Sequence, residues 1–189
     1  MENTRKLKIQ GIVTRRLYDK DGNPIKMFQE NKLWDFLKRF FNLDIKIPFI
    51  TGRWTFEPVI KNNITNVGLS RIASLIIGEQ IGGAAINPFT YLAIGTGTAS
   101  ETGLGAEITT GGGARASATV STVTTWVTGD TAQAVHEWTF TDDFVITEEG
   151  WFNALSGGDQ LAFRNFSAVS VESGNKFEVT HQIVVAESV

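Results

Sequence analysis

The stretch that most constrains this fold is residues 88–98, PFTYLAIGTGT. Phe89, Tyr91 and Ala93 fall on one side of an extended chain, and Leu92 and Ile94 on the other. Apolar residues on both sides predict a strand buried on both faces, not one with a wet face. Gly95 and Gly97 end it, because glycine takes positive φ where other residues cannot. The chain before this stretch reads as a lead-in with helices. The chain after it reads as short strands separated by turns.

A chain of 189 residues can bury one good core, with room for a smaller appended unit. The net charge of −3 supplies no basic field to draw nucleic acid. Charged residues are somewhat sparse, and Thr, Ser, Gly and Ala take their place, which suits β-structure rich in turns. The chain has no cysteine, which excludes disulfides, thiolate nucleophiles and cysteine-zinc sites. The opening MENTRKLKIQG is basic, but no apolar run comes after it, so no signal peptide is expected. Apolar patches such as residues 72–77 are too short to span a bilayer, and no membrane partner is expected.

In the first part of the chain, residues 7–17 alternate loosely and predict a strand. Residues 18–24, YDKDGNP, carry a hairpin turn at Asp21-Gly22, and residues 25–28 read as the returning strand. DKDGN begins like a calcium loop, but no helix pair flanks it, so no calcium site is expected. Residues 31–43, NKLWDFLKRFFNL, predict a helix capped by Asn31, with a stripe of Leu33, Trp34, Leu37, Phe40 and Phe41. Lys32, Asp35, Lys38 and Arg39 lie on its wetter side. Residues 44–58 read as an irregular, aromatic-rich connection, which either covers the core or presents an apolar surface to a partner. A second helix is expected within residues 62–78, starting near Thr65 or Asn66, with Val67, Ile72, Leu75 and Ile76 as its stripe and Gly78 as its stop.

After the central strand, residues 99–114 form a glycine- and threonine-rich loop. It lacks the lysine of a phosphate-binding loop and the spacing of a dinucleotide fingerprint, so no nucleotide cofactor is expected. A mobile or partner-ordered loop is the expectation. Residues 115–126 predict one long Thr-rich strand, suited to a wet face or to another copy. Residues 132–141 alternate, with Ala134, His136, Trp138 and Phe140 on one side. His136 and His181 are read as packing residues, since no carboxylate spacing makes them a metal site. Asp142, Asp143, Glu148 and Glu149 crowd residues 141–150. Paired carboxylates for hydrolysis or a divalent ion are one reading, and a solvated strand end followed by a turn is the other. Residues 151–155, 160–166 and 176–186 read as closing strands, joined by turns at 156–159 and 173–175. Phe177, Val179, His181, Ile183 and Val185 share one face of the last.

At this point the order of segments resembles a class of bacteriophage virion proteins, of the tail-fibre-like or capsid-decoration-like kind. The resemblance rests on RRLYDKDGNPI, NITNVGLSRIASLI, YLAIGTGTASETGLGAEI and the closing WTFTDDFVITEEGWFNALSGGDQLAFRNFSAVSVESGNKFEVTHQIVV. Its short motifs are the AIGTGT turn at 93–98, the LGAE loop at 104–107 and the turn and strand at 146–154. Residues 33–59 depart from the pattern and look inserted. The resemblance implies a structural protein with no enzymatic activity and no catalytic residue to carry across.

The fold expected from these readings is mainly β: an antiparallel β-sandwich with two accessory α-helices. Residues 1–60 are expected to form an attachment or partner-contacting unit, and residues 61–189 a helix plus the sandwich core. The expected function is that of a virion accessory protein, decorating a capsid or belonging to a tail or fibre. It would assemble in the host cytoplasm as repeated copies, a trimer being favoured, and dock on other virion proteins. Trp34, Phe36, Phe40, Trp54 and Phe56 are the candidate contact residues. No cofactor, metal or nucleic acid is expected. The alternative is a carbohydrate-binding module for host glycans, with Trp126, Trp138 and Trp151 as candidates.

Overall fold

The computed structural model describes residues 6–41, 46–77 and 87–188. In chain order the elements are β1 (Lys6–Tyr18), β2 (Pro24–Ile25), β3 (Met27–Glu30), α1 (Lys32–Phe41), β4 (Gly52–Thr55), β5 (Val59–Lys61), β6 (Asn63–Ile64), α2 (Asn66–Ile77), β7 (Tyr91–Gly95), β8 (Ala116–Ser117), β9 (Thr119–Val123), β10 (Thr131–Thr139), β11 (Phe144–Phe152), β12 (Gln160–Val171) and β13 (Lys176–Ser188). The first sheet runs β2-β1-β13-β10-β9, with β5 also on the outer edge of β1. The second runs β6-β12-β11-β7-β8, and β3 and β4 make a separate pair. All these strand pairs are antiparallel. The chain is thus mainly β, with two short helices, as its alternating strands predict.

The core lies between the two sheets. Leu92 and Ile94 of β7, Ile146 and Trp151 of β11, and Val13, Trp138, Phe177 and Val179 of the first sheet are all buried there. On β13 the period of two is carried through: Phe177, Val179, His181 and Ile183 face inward, each 3% exposed or less. The long β1–β13 ladder, from Lys6↔Ser188 to Tyr18↔Lys176, ties the start of the chain to its end. An attachment unit of residues 1–60 therefore shares its first strand with the sandwich.

Both helices start where expected. Asn31 Oδ1 accepts the N–H groups of Leu33 (2.9 Å) and Trp34 (3.2 Å), which caps α1. Thr65 Oγ1 accepts the Gly68 N–H at 2.8 Å and donates to the Gln160 carbonyl, which caps α2 and fastens it to β12. The Gly78 stop lies outside the described residues.

Three expectations about strands need correction. Residues 115–126 do not make one strand. The chain leaves β8 in the second sheet and enters β9 in the first, because Ala118 turns inward and its N–H donates to the Thr90 carbonyl at 2.8 Å. Residues 141–150 are not a strand end and a turn: β11 continues from Phe144 to Phe152, with its pairing to β12 shifted between Ile146 and Glu148 and with Glu148 and Glu149 in its middle. The returning strand of the first hairpin is only Pro24–Ile25, since β3 swings out to pair with β4. That pairing also gives order to residues 52–55, within the stretch read as irregular.

The approach of α2 to β12 is set by Gly68. A Cβ there would sit 2.3 Å from the Leu161 carbonyl oxygen. Gly68→Ala is expected to cost about 1–3 kcal/mol, the usual range for overpacking against backbone. Urea unfolding checks it; an unchanged midpoint would mean that α2 can shift freely on β12.

Candidate functional site

The carboxylates are the natural place to look for chemistry, and the structure disperses them. Glu148 and Glu149 are adjacent on β11, so their side chains leave opposite faces of the sheet. Both are fully buried. Glu148 points to the outer face, where the loop after β7 folds back. Its Oε1 accepts the N–H groups of Gly97 (3.0 Å) and Ala106 (2.7 Å), and its Oε2 accepts that of Gly105 (2.8 Å). Three backbone donors thus hold one carboxylate, and the carboxylate holds the loop. Asn165 adds a reciprocal pair, accepting from the Ala99 N–H at 2.7 Å and donating to its carbonyl at 2.9 Å.

Further along, Arg115 grips Glu107 through Nε (2.9 Å) and Nη2 (2.6 Å), while its Nη1 reaches the carbonyls of Ala154 and Gly157. Its guanidinium lies 3.7 Å from the centre of the Phe152 ring. Residues 99–114, expected to be mobile or ordered by a partner, are ordered by their own chain.

Glu149 faces the interior, toward the other sheet. Its Oε2 lies 3.0 Å from Nδ1 of His181, and the Nε2 side of that ring meets the Asn62 amide. The Trp151 ring packs on the same imidazole, with centroids 5.4 Å apart. Nearby, Arg15 is fully buried, 3.7 Å from Glu30 and 4.0 Å over the Phe166 ring. Burial pushes this guanidinium down to about 10, against the pull of Glu30 and Glu149. The cluster is polar and internal.

Asp142 and Asp143 are exposed, and Asp143 accepts the Ser173 N–H at 2.9 Å, closing the β12–β13 turn. The paired-carboxylate reading therefore brings together no two acids facing one space. An open cleft of about 760 Å³ borders the GTGT turn, lined by Trp34, Lys38, Thr96, Thr98, Arg164 and Asn165 among others, and among the described residues no carboxylate or histidine lines it.

The aromatic residues divide into two groups. Trp138 and Trp151 are internal, and their indole N–H groups donate to the carbonyls of Ala114 (2.8 Å) and Phe89 (2.9 Å). Trp126 is the exposed member of the three glycan candidates, on the turn after β9. The second group surrounds α1 and the β3–β4 pair. Phe36, Phe40, Trp54 and Phe56 are exposed, with Phe40 at 66%. Phe36 packs on Phe40 (centroids 4.9 Å apart) and on Phe41 (5.9 Å).

Trp34 differs from its four companions: it is 5% exposed, and its ring lies within this chain. The helical stripe is therefore split. Trp34 and Leu37 turn toward the protein, while Leu33, Phe40 and Phe41 face outward. Sequence periodicity missed Phe49, which is 95% exposed and stands at a φ of 67°. A positive φ in a bulky residue is strained, and the turn is held by Thr51, whose Oγ1 accepts the Ile47 N–H. Pro48 before it and Gly52 after it were the available signal.

No family model matches the chain, and no curated protein or solved structure matches it significantly.

Glu148→Gln puts an amide NH₂ against backbone donors and is expected to cost about 2–4 kcal/mol. Denaturant titration checks this; a loss below about 0.5 kcal/mol would mean the loop is held by other contacts. Among the histidines, burial holds the His136 imidazole below its ordinary value of 6.5. The unfolded chain then takes up this proton first as pH falls, so its contribution is complete above about pH 6.5 and is lost below it. Between pH 7 and pH 5, His136→Asn is expected to lose less stability than the parent chain. Equal losses would show that His136 is not a source of the pH dependence.

Proposed function

We propose that this chain is a non-enzymatic structural component of a phage particle, decorating the capsid or belonging to the tail apparatus. It works by self-assembly and by docking on other virion proteins, and it takes its place in the virion during assembly in the host cytoplasm. One observation carries the reading. Around α1 and the β3–β4 pair, Phe36, Phe40, Phe41, Phe49, Ile50, Trp54 and Phe56 are all exposed. Such a collection of large apolar side chains is a contact surface in search of a cover. The dispersal of the carboxylates supports a binding role over a catalytic one, since each buried acid already serves a structural partner.

The contact chemistry is that of aromatic anchors. Phenylalanine and tryptophan bury large areas at small entropic cost, and a few of them dominate an interface. Lys26 lies 5.2 Å over the Phe56 ring, which gives the patch a charged rim. Trp34, 5% exposed, is not part of its surface.

Phe40→Ser and Trp54→Ser test this. Both side chains are more than half exposed, so each variant should keep the parent's circular dichroism and a cooperative unfolding transition. Binding to particles that lack the protein should weaken about 30-fold for each, the effect of losing a 2 kcal/mol anchor. Unchanged binding to such particles by both variants would overturn the reading.

A further inference from the structure

The first sheet ends on β9, and that edge is built differently from every other edge among the described residues. Thr119–Val123 pairs with β10 on one side and has no described strand on the other. Its residues Thr119, Val120, Ser121 and Thr122 are exposed. From Ala116 to Gly129 the chain carries no charged residue and no proline. Natural sheets protect an open edge with charge, proline, bulges or shortness. This edge has none of these.

A second observation points the same way. Val120 stands cross-strand from Ala134, which is fully buried in the core, yet Val120 is 47% exposed. An inner-face valine is left uncovered because the sheet stops one strand too soon. Beyond the strand, Trp126 and Val127 are exposed at 68% and 69%.

We propose that two copies of this chain pair antiparallel through β9, across a two-fold axis at Ser121, and join their first sheets into one continuous sheet. The register comes from the strand's length: only pairing about its midpoint places all five residues in partnership. Thr119 then stands opposite the partner copy's Val123, and Val120 opposite its Thr122. The two Val120 side chains become diagonal neighbours over the extended core. An identical edge meeting itself brings like against like, which a charged edge would resist and this neutral one accepts.

The alternatives on this chain fit less well. The opposite end of the first sheet is occupied by the short β2 and β5 and carries the Arg16–Glu57 and Arg16–Glu178 ion pairs, both 2.7 Å. The outer strands of the second sheet, β6 and β8, have two residues each. Head-to-tail stacking of the two large sheets therefore has no matching edge. The pairing closes as a dimer, in place of the three-fold packing expected from sequence. It rests on the self-assembly in the function proposed above, and it names the surface.

The test uses the full chain in solution, with no particle present. Light scattering should give twice the 20.7 kDa chain mass. Ser121→Lys sets two ammonium groups at the axis and should weaken the dimer at least tenfold, with its circular dichroism unchanged. The chain has no cysteine, so engineered pairs report the register directly. Ser121→Cys should form an oxidised dimer by itself. Thr119→Cys should not, but should cross-link when mixed with Val123→Cys.

A monomer, a trimer, or a dimer indifferent to Ser121→Lys with no Ser121→Cys cross-link would overturn the proposal. A monomeric chain that still binds particles through Phe40 and Trp54 would overturn this pairing alone and leave the virion role standing.

Discussion

One buried carboxylate organises the loop after β7. Glu148 draws that loop onto the outer face of the second sheet, beside the Asn165–Ala99 and Arg115–Glu107 ties. The N–H groups of Gly97, Gly105 and Ala106 converge on its two oxygens at 2.7–3.0 Å. Gly95 and Gly97 matter because the carboxylate and the loop backbone come so close: a Cβ on Gly95 would lie 2.2 Å from Glu148 Oε1. The loop in turn covers β7 and β11, which keeps Ala93 and Gly150 dry. A charge left without those donors would be costly in such a place. The glycines and the glutamate are one device, though they lie far apart along the chain.

The interior repeats this logic in a less saturated form. Arg15, Glu30, Glu149 and His181 are all deep inside, and several of their polar atoms have no hydrogen-bond partner within the described structure. Opposite charges and the Phe166 and Trp151 rings share the work of holding them. Buried ionic groups are a poor source of stability compared with apolar packing, and their value lies in restricting which strands can face one another. Here they join β1 and β13 of one sheet to β11 of the other, so the sheets have one satisfactory way to align.

Function on this scaffold is a matter of surfaces. The buried acids are bound up in architecture, and the exposed aromatic residues gather around α1 and the β3–β4 pair. The neutral β9 edge lies at the end of the first sheet. The roles proposed for the aromatic patch and the β9 edge would together let the chain sit on a larger assembly in repeated copies. The strain at Phe49 fits this division, since an exposed ring on a strained turn contributes nothing to the core.

The local chemistry was legible in the sequence, because it depends on neighbours along the chain. Strand alternation on β13, the Asn31 and Thr65 caps, the glycine turns at 157–158 and 174, and the two-faced burial of β7 all come from residues a few positions apart. So did the mainly β sandwich. What the sequence left open was decided by groups distant along the chain. Glu148 and Glu149 read as wet because acidic pairs usually are, and only the folded loop and His181 show why they are dry. Residues 115–126 read as one strand because β-propensity is blind to which sheet a residue belongs to. Trp34 and Phe41 share one side of a helical wheel, and only the docking of α1 buries one and exposes the other. Periodicity determines which residues share a face; tertiary packing alone determines what that face meets.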